Sequence, residues 1–262
     1  MNAPTELLSY ADPFAPRDGP PAFPNLHQGL VGAWYPPLGP TGKKLYDVTG
    51  RNDGTLTNME AGTDWVQSPL GWVLDFDGVN ERVTLADIDI LKQISMVSWI
   101  YPTAGQAVTR YPFAKKDSYL LIYGHSVAQY RGVFAVRIGG VWRKPAQRVI
   151  AQNAWSMFAG TYDGTSVRTY INGVGSASGA ISGNLQQSNF STSIADSGEG
   201  AAYFAGRVGP CLLYNRALTH AEIQHFYRDP FAPLRLEQRV FPSAAIVLPP
   251  GLLTSGHMSG VI

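Results

Sequence analysis

Cysteine is nearly missing: Cys211 is the single one in 262 residues, so no intrachain disulfide framework staples the chain. An excess of either charge is missing too. Lys and Arg number 20 against 19 Asp and Glu, a formal net charge of +1. That balance excludes a global field drawing the chain onto nucleic acid or an anionic membrane. No hydrophobic run approaches the ~20 residues needed to span a bilayer. The opening MNAPTELLSY has neither the basic nor the apolar segment of a secretory signal. These absences lead us to expect assembly in a reducing cytoplasm, with no nucleic-acid partner and no membrane partner.

Glycine and proline are plentiful instead, at 28 and 19 residues, about 18 % of the chain against about 12 % in average usage. One β-sandwich of about 200 residues plus tails fits the length, and abundant turn-formers suit many short strands. The clearest strands lie in Trp155–Val174, WSMFAGTYDGTSVRTYINGV. Trp155–Tyr162 is aromatic and apolar, and Asp163-Gly164 marks a tight turn. Val167, Thr169 and Ile171 then alternate with Ser166, Arg168 and Tyr170. Asn172-Gly173 supplies a second turn, since both residues tolerate positive φ. A lone hairpin is marginal in water. The pattern therefore predicts antiparallel pairing inside a larger sheet, with Val167 and Ile171 facing a core.

Further strands are expected at Leu30–Tyr35, Trp72–Phe76, Arg82–Leu85, Met96–Tyr101, Pro112–Lys115, Tyr119–His125, Gly132–Ile138, Phe190–Ile194 and Tyr203–Tyr214. The last holds Gly206, Gly209 and Pro210, where a bulge or break is expected. Residues 36–68 read mostly as turns. Gly39–Lys44 has the wrong glycine spacing for a phosphate loop, and no Ser or Thr follows its lysines. In Tyr119–His125, Leu120 and Ile122 share one face, and Tyr119, Leu121, Tyr123 and His125 the other. In Gly132–Ile138, Phe134, Val136 and Ile138 oppose Val133, Ala135 and Arg137. Turning Leu120, Ile122, Phe134, Val136 and Ile138 inward displays Tyr123, His125 and Arg137, with Trp142 just beyond. One helix is expected, opened by the capping box of Thr219 and Glu222, stapled by Leu218 and Ile223, and ended by Pro230.

The flanks differ from this body. Residues 1–28 hold six prolines, five of them from Pro13 to Pro24, and read as an extended arm. Residues 229–262 are Pro- and Gly-punctuated yet apolar, unlike a solvated disordered tail. Asp12-Pro13-Phe14-Ala15-Pro16 recurs as Asp229-Pro230-Phe231-Ala232-Pro233. The expected division is therefore an arm at 1–28, a sandwich at 29–228 and an apolar arm at 229–262. Phe14, Phe23, Phe231 and Phe241 are candidate assembly contacts, on the reading that both arms strap onto other subunits.

The Trp155–Gly173 hairpin resembles the signature of the laminin-G-like, concanavalin-A-like jelly-roll family. Gly29–Trp34 with Asp47–Leu56 resembles that family's opening. Leu74–Gly78, Ser98–Ile100 and Phe204–Val208 through Tyr214–Leu218 follow in the family's order. The resemblance covers roughly residues 29–228. It implies an all-β, two-sheet antiparallel jelly-roll sandwich with one short C-terminal helix and extended terminal arms. The arrangement of sandwich and arms is also similar to laminin-G-like virion proteins of tailed bacteriophages. That similarity implies a structural, non-enzymatic component of a virion, a capsid decoration or other surface part, working as an oligomer. The fold equally hosts lectins and glycosidases.

A glycosidase needs two carboxylates about 5–10 Å apart, and the Glu-x-Asp-x-x-Glu pattern of the family's catalytic strand is missing. Asp87 and Asp89 are the nearest spaced pair, and Glu81 stands alone. No catalytic residues are assigned. The five histidines are scattered; His220 and His225 diverge on the helix and cannot share one ion. The resemblance allows Ca2+ at Asp47, Asp53, Asp77, Asp163 or Asp196, though each sits in a turn whose backbone it can hold. No other cofactor is expected. Tyr123, His125, Arg137 and Trp142, with Tyr119 and Tyr130 nearby, are the glycan-binding candidates, because aromatic faces stack on sugar C–H surfaces while His and Arg bond hydroxyls. The plainer reading packs the same residues under a loop or against a neighbouring subunit. Cys211 reads as a small core residue.

Overall fold

The computed structural model describes residues 23–235, apart from 104–108, 127–128, 178–179 and 199–201, and apart from the side chains of Pro24, His125 and Ser126. Phe14 and Phe241 lie outside the described residues. The strands in chain order are β1 (Leu30–Trp34), β2 (Lys44–Leu45), β3 (Gly54–Thr57), β4 (Trp65–Ser68), β5 (Gly71–Asp77) and β6 (Arg82–Thr84). Then come β7 (Ile94–Pro102), β8 (Arg110–Lys115), β9 (Tyr119–Ser126), β10 (Gln129–Ile138), β11 (Val141–Arg143) and β12 (Arg148–Val149). Last are β13 (Ser156–Tyr162), β14 (Val167–Ile171), β15 (Val174–Ala177), β16 (Thr192–Ile194) and β17 (Ala205–Tyr214), followed by helix α1 (His220–Arg228). Every pairing is antiparallel.

The first sheet runs β15-β14-β13-β7-β17-β5-β4, with β1 also on β17. The second runs β11-β10-β9-β8-β16-β6-β3-β2, with β12 on β10. The hairpin forms as its pattern predicts: Tyr162 faces Val167 and Phe158 faces Ile171 in register, and Val167 and Ile171 enter the core between the sheets. The expected break in β17 is a shift of its register with β7 between Val208 and Cys211. β5 takes the near half of one edge of β17, and β1 takes the far half.

Alternation along β7 explains two separate cores. Ile94, Met96 and Ile100 point between the sheets, where they meet Phe113, Phe134, Phe158 and Leu213. Val97 and Trp99 point outward, into a second cluster with Leu26, Leu212, Tyr214, Ile223 and Phe226. That outer face is apolar because α1 lies on it. Thr219 caps the helix in a complete capping box with Glu222, satisfying orphan N–H groups of its first turn. Burying Ile223 and Phe226 adds roughly 1.5–3 kcal/mol for each side chain.

The two sheets approach closely at Gly160. A Cβ on Gly160 of β13 would lie 2.0 Å from Phe134 Cγ of β10, and the Phe134 N–H donates to Thr169 Oγ1 of β14 at 2.9 Å.

Residues 36–68 are mostly turns, as expected, with the short strands β2, β3 and β4 between them. These strands are two to four residues long and rely on their partners. The packed body exceeds 29–228 at both ends. Phe23 meets His225 edge-on at 4.3 Å. Phe231 lies 6.0 Å from Tyr35, whose hydroxyl donates to the Pro230 carbonyl at 3.0 Å. Phe23 and Phe231 thus cover their own sandwich, because the face beside α1 offers apolar area within the same chain. No helix among the described residues is long and apolar enough to cross a membrane.

Candidate functional site

Register across the second sheet sorts its two faces. Leu56, Val83, Ile194, Phe113, Leu121 and Phe134 form one unbroken row, and all belong to the core. The next row, Thr55, Thr84, Ser193, Ala114, Leu120 and Ala135, therefore lies on the outer face. Alternation puts Ser118 and Arg137 on that outer face too, joined by the Arg137 N–H, which donates to Ser118 O at 2.8 Å. Trp142 of β11 stands opposite Arg137.

The structure thus divides the candidate set. Arg137 and Trp142 come together: the guanidinium carbon lies 5.9 Å from the centre of the Trp142 ring. Asp117, in the turn before β9, pairs with Arg137 Nη1, and Arg137 Nε donates to Gly140 O at 3.3 Å. Tyr123 goes to the opposite face. It is fully buried in the inter-sheet core, stacked on Tyr130 at 5.8 Å and edge-on to Phe204, and burial pushes its phenol well up. The face expected for β9 was inverted: Tyr119, Leu121 and Tyr123 point inward, while Leu120 and Ile122 point outward. His125 stands opposite Tyr130 in register.

Two features of this outer face escaped the sequence. The hydroxyls of Ser118 and Ser193 are buried on it with no hydrogen-bond partner among the described residues. Single serines in turn-rich sequence carry no signal of that kind. Beside them Thr57 and Thr84 hydroxyls lie 3.2 Å apart, and Arg82 Nε donates to Thr84 at 3.3 Å. The face therefore combines an indole, a guanidinium steadied by a carboxylate, and a row of small hydroxyl side chains.

The acids are occupied elsewhere. Asp87 and Asp89 both pair with the buried Lys115 ammonium, which orients them as a structural clamp. Glu81 is not alone. Burial first, then the nearby Asp64 and Asp77 carboxylates, push its carboxyl up to about 7, against the backbone N–H of Asp77 that it accepts. The five turn aspartates hold their own loops. Asp47 accepts the N–H groups of Ala33, Thr49 and Asn52. Asp53 accepts from Asp47, and Asp77 from Val79. Asp196 accepts from Gly198. Burial would raise the Asp163 carboxyl, but hydrogen bonds from Arg168, Thr165 and Ser166 outweigh it and hold the group well below its usual range. Among the described residues no three His, Cys, Asp or Glu side chains form a group able to hold a metal ion. Cys211 is fully buried in the core beside Ser98.

Two antiparallel sheets with one capped helix define a lectin-like sandwich. Residues 77–224 match the family model described as the concanavalin A-like lectin/glucanases superfamily, and the chain belongs to that family. No curated protein sequence matches it. Among solved structures it is similar to domain 4 of AbnA, a GH43 extracellular arabinanase from Geobacillus stearothermophilus, in complex with arabinotriose. That likeness has 21 % identity and a TM-score of 0.60, covering 76 % of this chain and 98 % of the domain. It is also similar to Trypanosoma rangeli sialidase in complex with sialic acid, at 16 % identity and a TM-score of 0.52, over 76 % of this chain. The binding domain of Paraclostridial Mosquitocidal Protein 1 shares 13 % identity and a TM-score of 0.58, over 78 % of this chain. This chain covers 32 % of the sialidase and 52 % of the mosquitocidal protein chain. At such identities these likenesses carry the fold.

Proposed function

We propose that this chain is a non-enzymatic recognition module that binds a glycan on the outer face of its second sheet, around Arg137 and Trp142. The observation that carries this reading is the Arg137 guanidinium, fixed by Asp117 and placed over the Trp142 ring. An indole face supports a sugar ring, and a guanidinium donates to hydroxyls in fixed directions. The engagement of Asp87 and Asp89 by Lys115 favours binding over hydrolysis. The arabinotriose complex of the similar arabinanase domain is in keeping with this choice. A glycan array followed by calorimetry tests it. Arg137→Ala and Trp142→Ala should each weaken the strongest hit about tenfold or more. A hit that both variants bind as tightly as the parent removes the reading.

A second role, as a surface component of a virion built with copies of itself or other subunits, is favoured by the repeated Asp-Pro-Phe-Ala-Pro segment. Its second copy is seated on Tyr35, and the same sequence stands at 12–16. Light scattering of the full chain and mass spectrometry of the particle carrying it test this role. A monomer recovered free of any particle argues against it.

A further inference from the structure

The outer face of the first sheet carries a band of aromatic rings that α1 leaves partly open. Asp75 of β5, Arg207 of β17 and Tyr101 of β7 stand in one row. Trp155, just before β13, continues it with its ring 5.7 Å from that of Tyr101. The Arg207 guanidinium lies 5.5 Å from the centre of the Tyr101 ring, and its Nε donates to Asp75 Oδ2 at 3.2 Å. The irregularity of β17 leaves Gly209 beside Trp99. The atoms nearest to a Cβ placed there belong to Leu70, Trp99 and Trp155, at 3.4–3.7 Å, so those three side chains gather around the buried Gly209. Tyr227, at the end of α1, lies parallel to Trp99 with ring centres 6.2 Å apart, and is 41 % exposed. Trp99 is 7 % exposed, and its indole N–H has no hydrogen-bond partner among the described residues.

These features select one kind of occupant. Flat, half-open rings offer faces to the C–H surface of a sugar. The Arg207–Asp75 pair sets a donor and an acceptor side by side with no net charge, which suits neutral hydroxyls over acidic sugars. A buried indole N–H without an acceptor is costly, and a sugar oxygen reaching Trp99 would relieve it.

We propose that Tyr101, Trp155 and Tyr227, flanked by Arg207 and Asp75, form a second saccharide site for a neutral oligosaccharide, on the opposite sheet from Arg137 and Trp142. A chain with one site on each sheet holds two glycan strands at once. The test uses the full chain with arabinotriose, xylohexaose and maltohexaose, read by calorimetry and saturation-transfer NMR. Tyr227→Ala removes an exposed ring and spares the core, so it isolates this site; Trp155→Ala and Trp142→Ala complete the set. The expected result is binding at two sites, with Tyr227→Ala and Trp155→Ala each weakening one of them about three- to tenfold and sparing the other. Binding lost only in Trp142→Ala overturns this inference and leaves the Arg137 site standing. Binding lost only in Tyr227→Ala and Trp155→Ala upholds it and removes the Arg137 site. Failure of all three probes to bind overturns this inference. So does a proline-rich peptide of residues 10–22 that binds through Tyr227 and Trp155 where the saccharides do not.

Discussion

Replacing Gly160 by alanine tests how closely the two sheets approach. The new methyl would sit 2.0 Å from Phe134 Cγ, 2.3 Å from its Cβ and 2.5 Å from Cδ1. Carbon atoms settle at about 3.5–4.0 Å, so the sheets must part locally by about 1.5 Å, or the Phe134 ring must leave its place. Neither is easy, because Phe134 is fully buried and its N–H is tied to Thr169. Overpacking of this kind costs about 1–3 kcal/mol, and a clash with a Cβ, which no rotamer change relieves, belongs at the upper end. Against a typical stability of about 5–15 kcal/mol, a loss of ~3 kcal/mol is a large shift in the urea midpoint. Gly62 is the control, since a Cβ there meets nothing within 4 Å; Gly62→Ala should move stability by no more than about 1 kcal/mol. Thr169→Val probes the same contact by leaving the Phe134 N–H without its acceptor, at about 1–3 kcal/mol. Equal urea midpoints for Gly160→Ala and Gly62→Ala would refute the close approach.

Three other outcomes follow from single residues. Removing the helix cap by Thr219→Ala should cost about 1 kcal/mol, read as a lower urea midpoint; an unchanged midpoint means that the cap contributes nothing. Glu81 has a folded pKa of about 7, raised from 4.5, so its stabilising share is complete below pH 4.5 and is lost as pH rises through 7. Glu81→Gln should therefore be more stable than the parent at pH 8, and that advantage should disappear at pH 4; an equal difference at both pH values contradicts the shift. Burial pushes the Cys211 thiol up to about 12, leaving about one thiolate in 10,000 at pH 8. Ellman's reagent should label it only once urea unfolds the chain, and rapid labelling of the folded protein would place the thiol outside the core.

The sequence was most legible where local chemistry and tertiary environment agree. Asp163-Gly164 and Asn172-Gly173 bracket β14 because each supplies the turn geometry that its neighbours need, and Asn172 adopts a φ of 49°. Thr219 and Glu222 announced α1 because a capping box is entirely local. β9 failed for a definite reason. Leu120 on one face and Leu121 and Tyr123 on the other are all buried, so alternation gave the period without saying which face turned inward. With that choice reversed, Tyr123 left the candidate site while Arg137 and Trp142 kept theirs. The hydroxyl row of Thr55, Thr84 and Ser193 was illegible because it is assembled from three strands far apart in sequence. Tyr227 joins the face that holds Trp155 because α1 lies on the outer side of the first sheet, where Tyr227 stacks on Trp99.

β17 stands between β7 on one edge and β5 with β1 on the other. Until it arrives, the first sheet is three separate pieces (β15-β14-β13-β7, β5-β4 and β1), each showing the ribosome-bound chain's surroundings a strand edge that β17 will later cover. At about 5–20 residues per second, the interval between the synthesis of β1 and that of Tyr214 lasts about 10–40 s. Unpaired edges recruit foreign strands, so during synthesis the chain relies on chaperones or on speed. A chain cut short before β17 is therefore expected to aggregate, because the first sheet lacks the strand that joins its pieces.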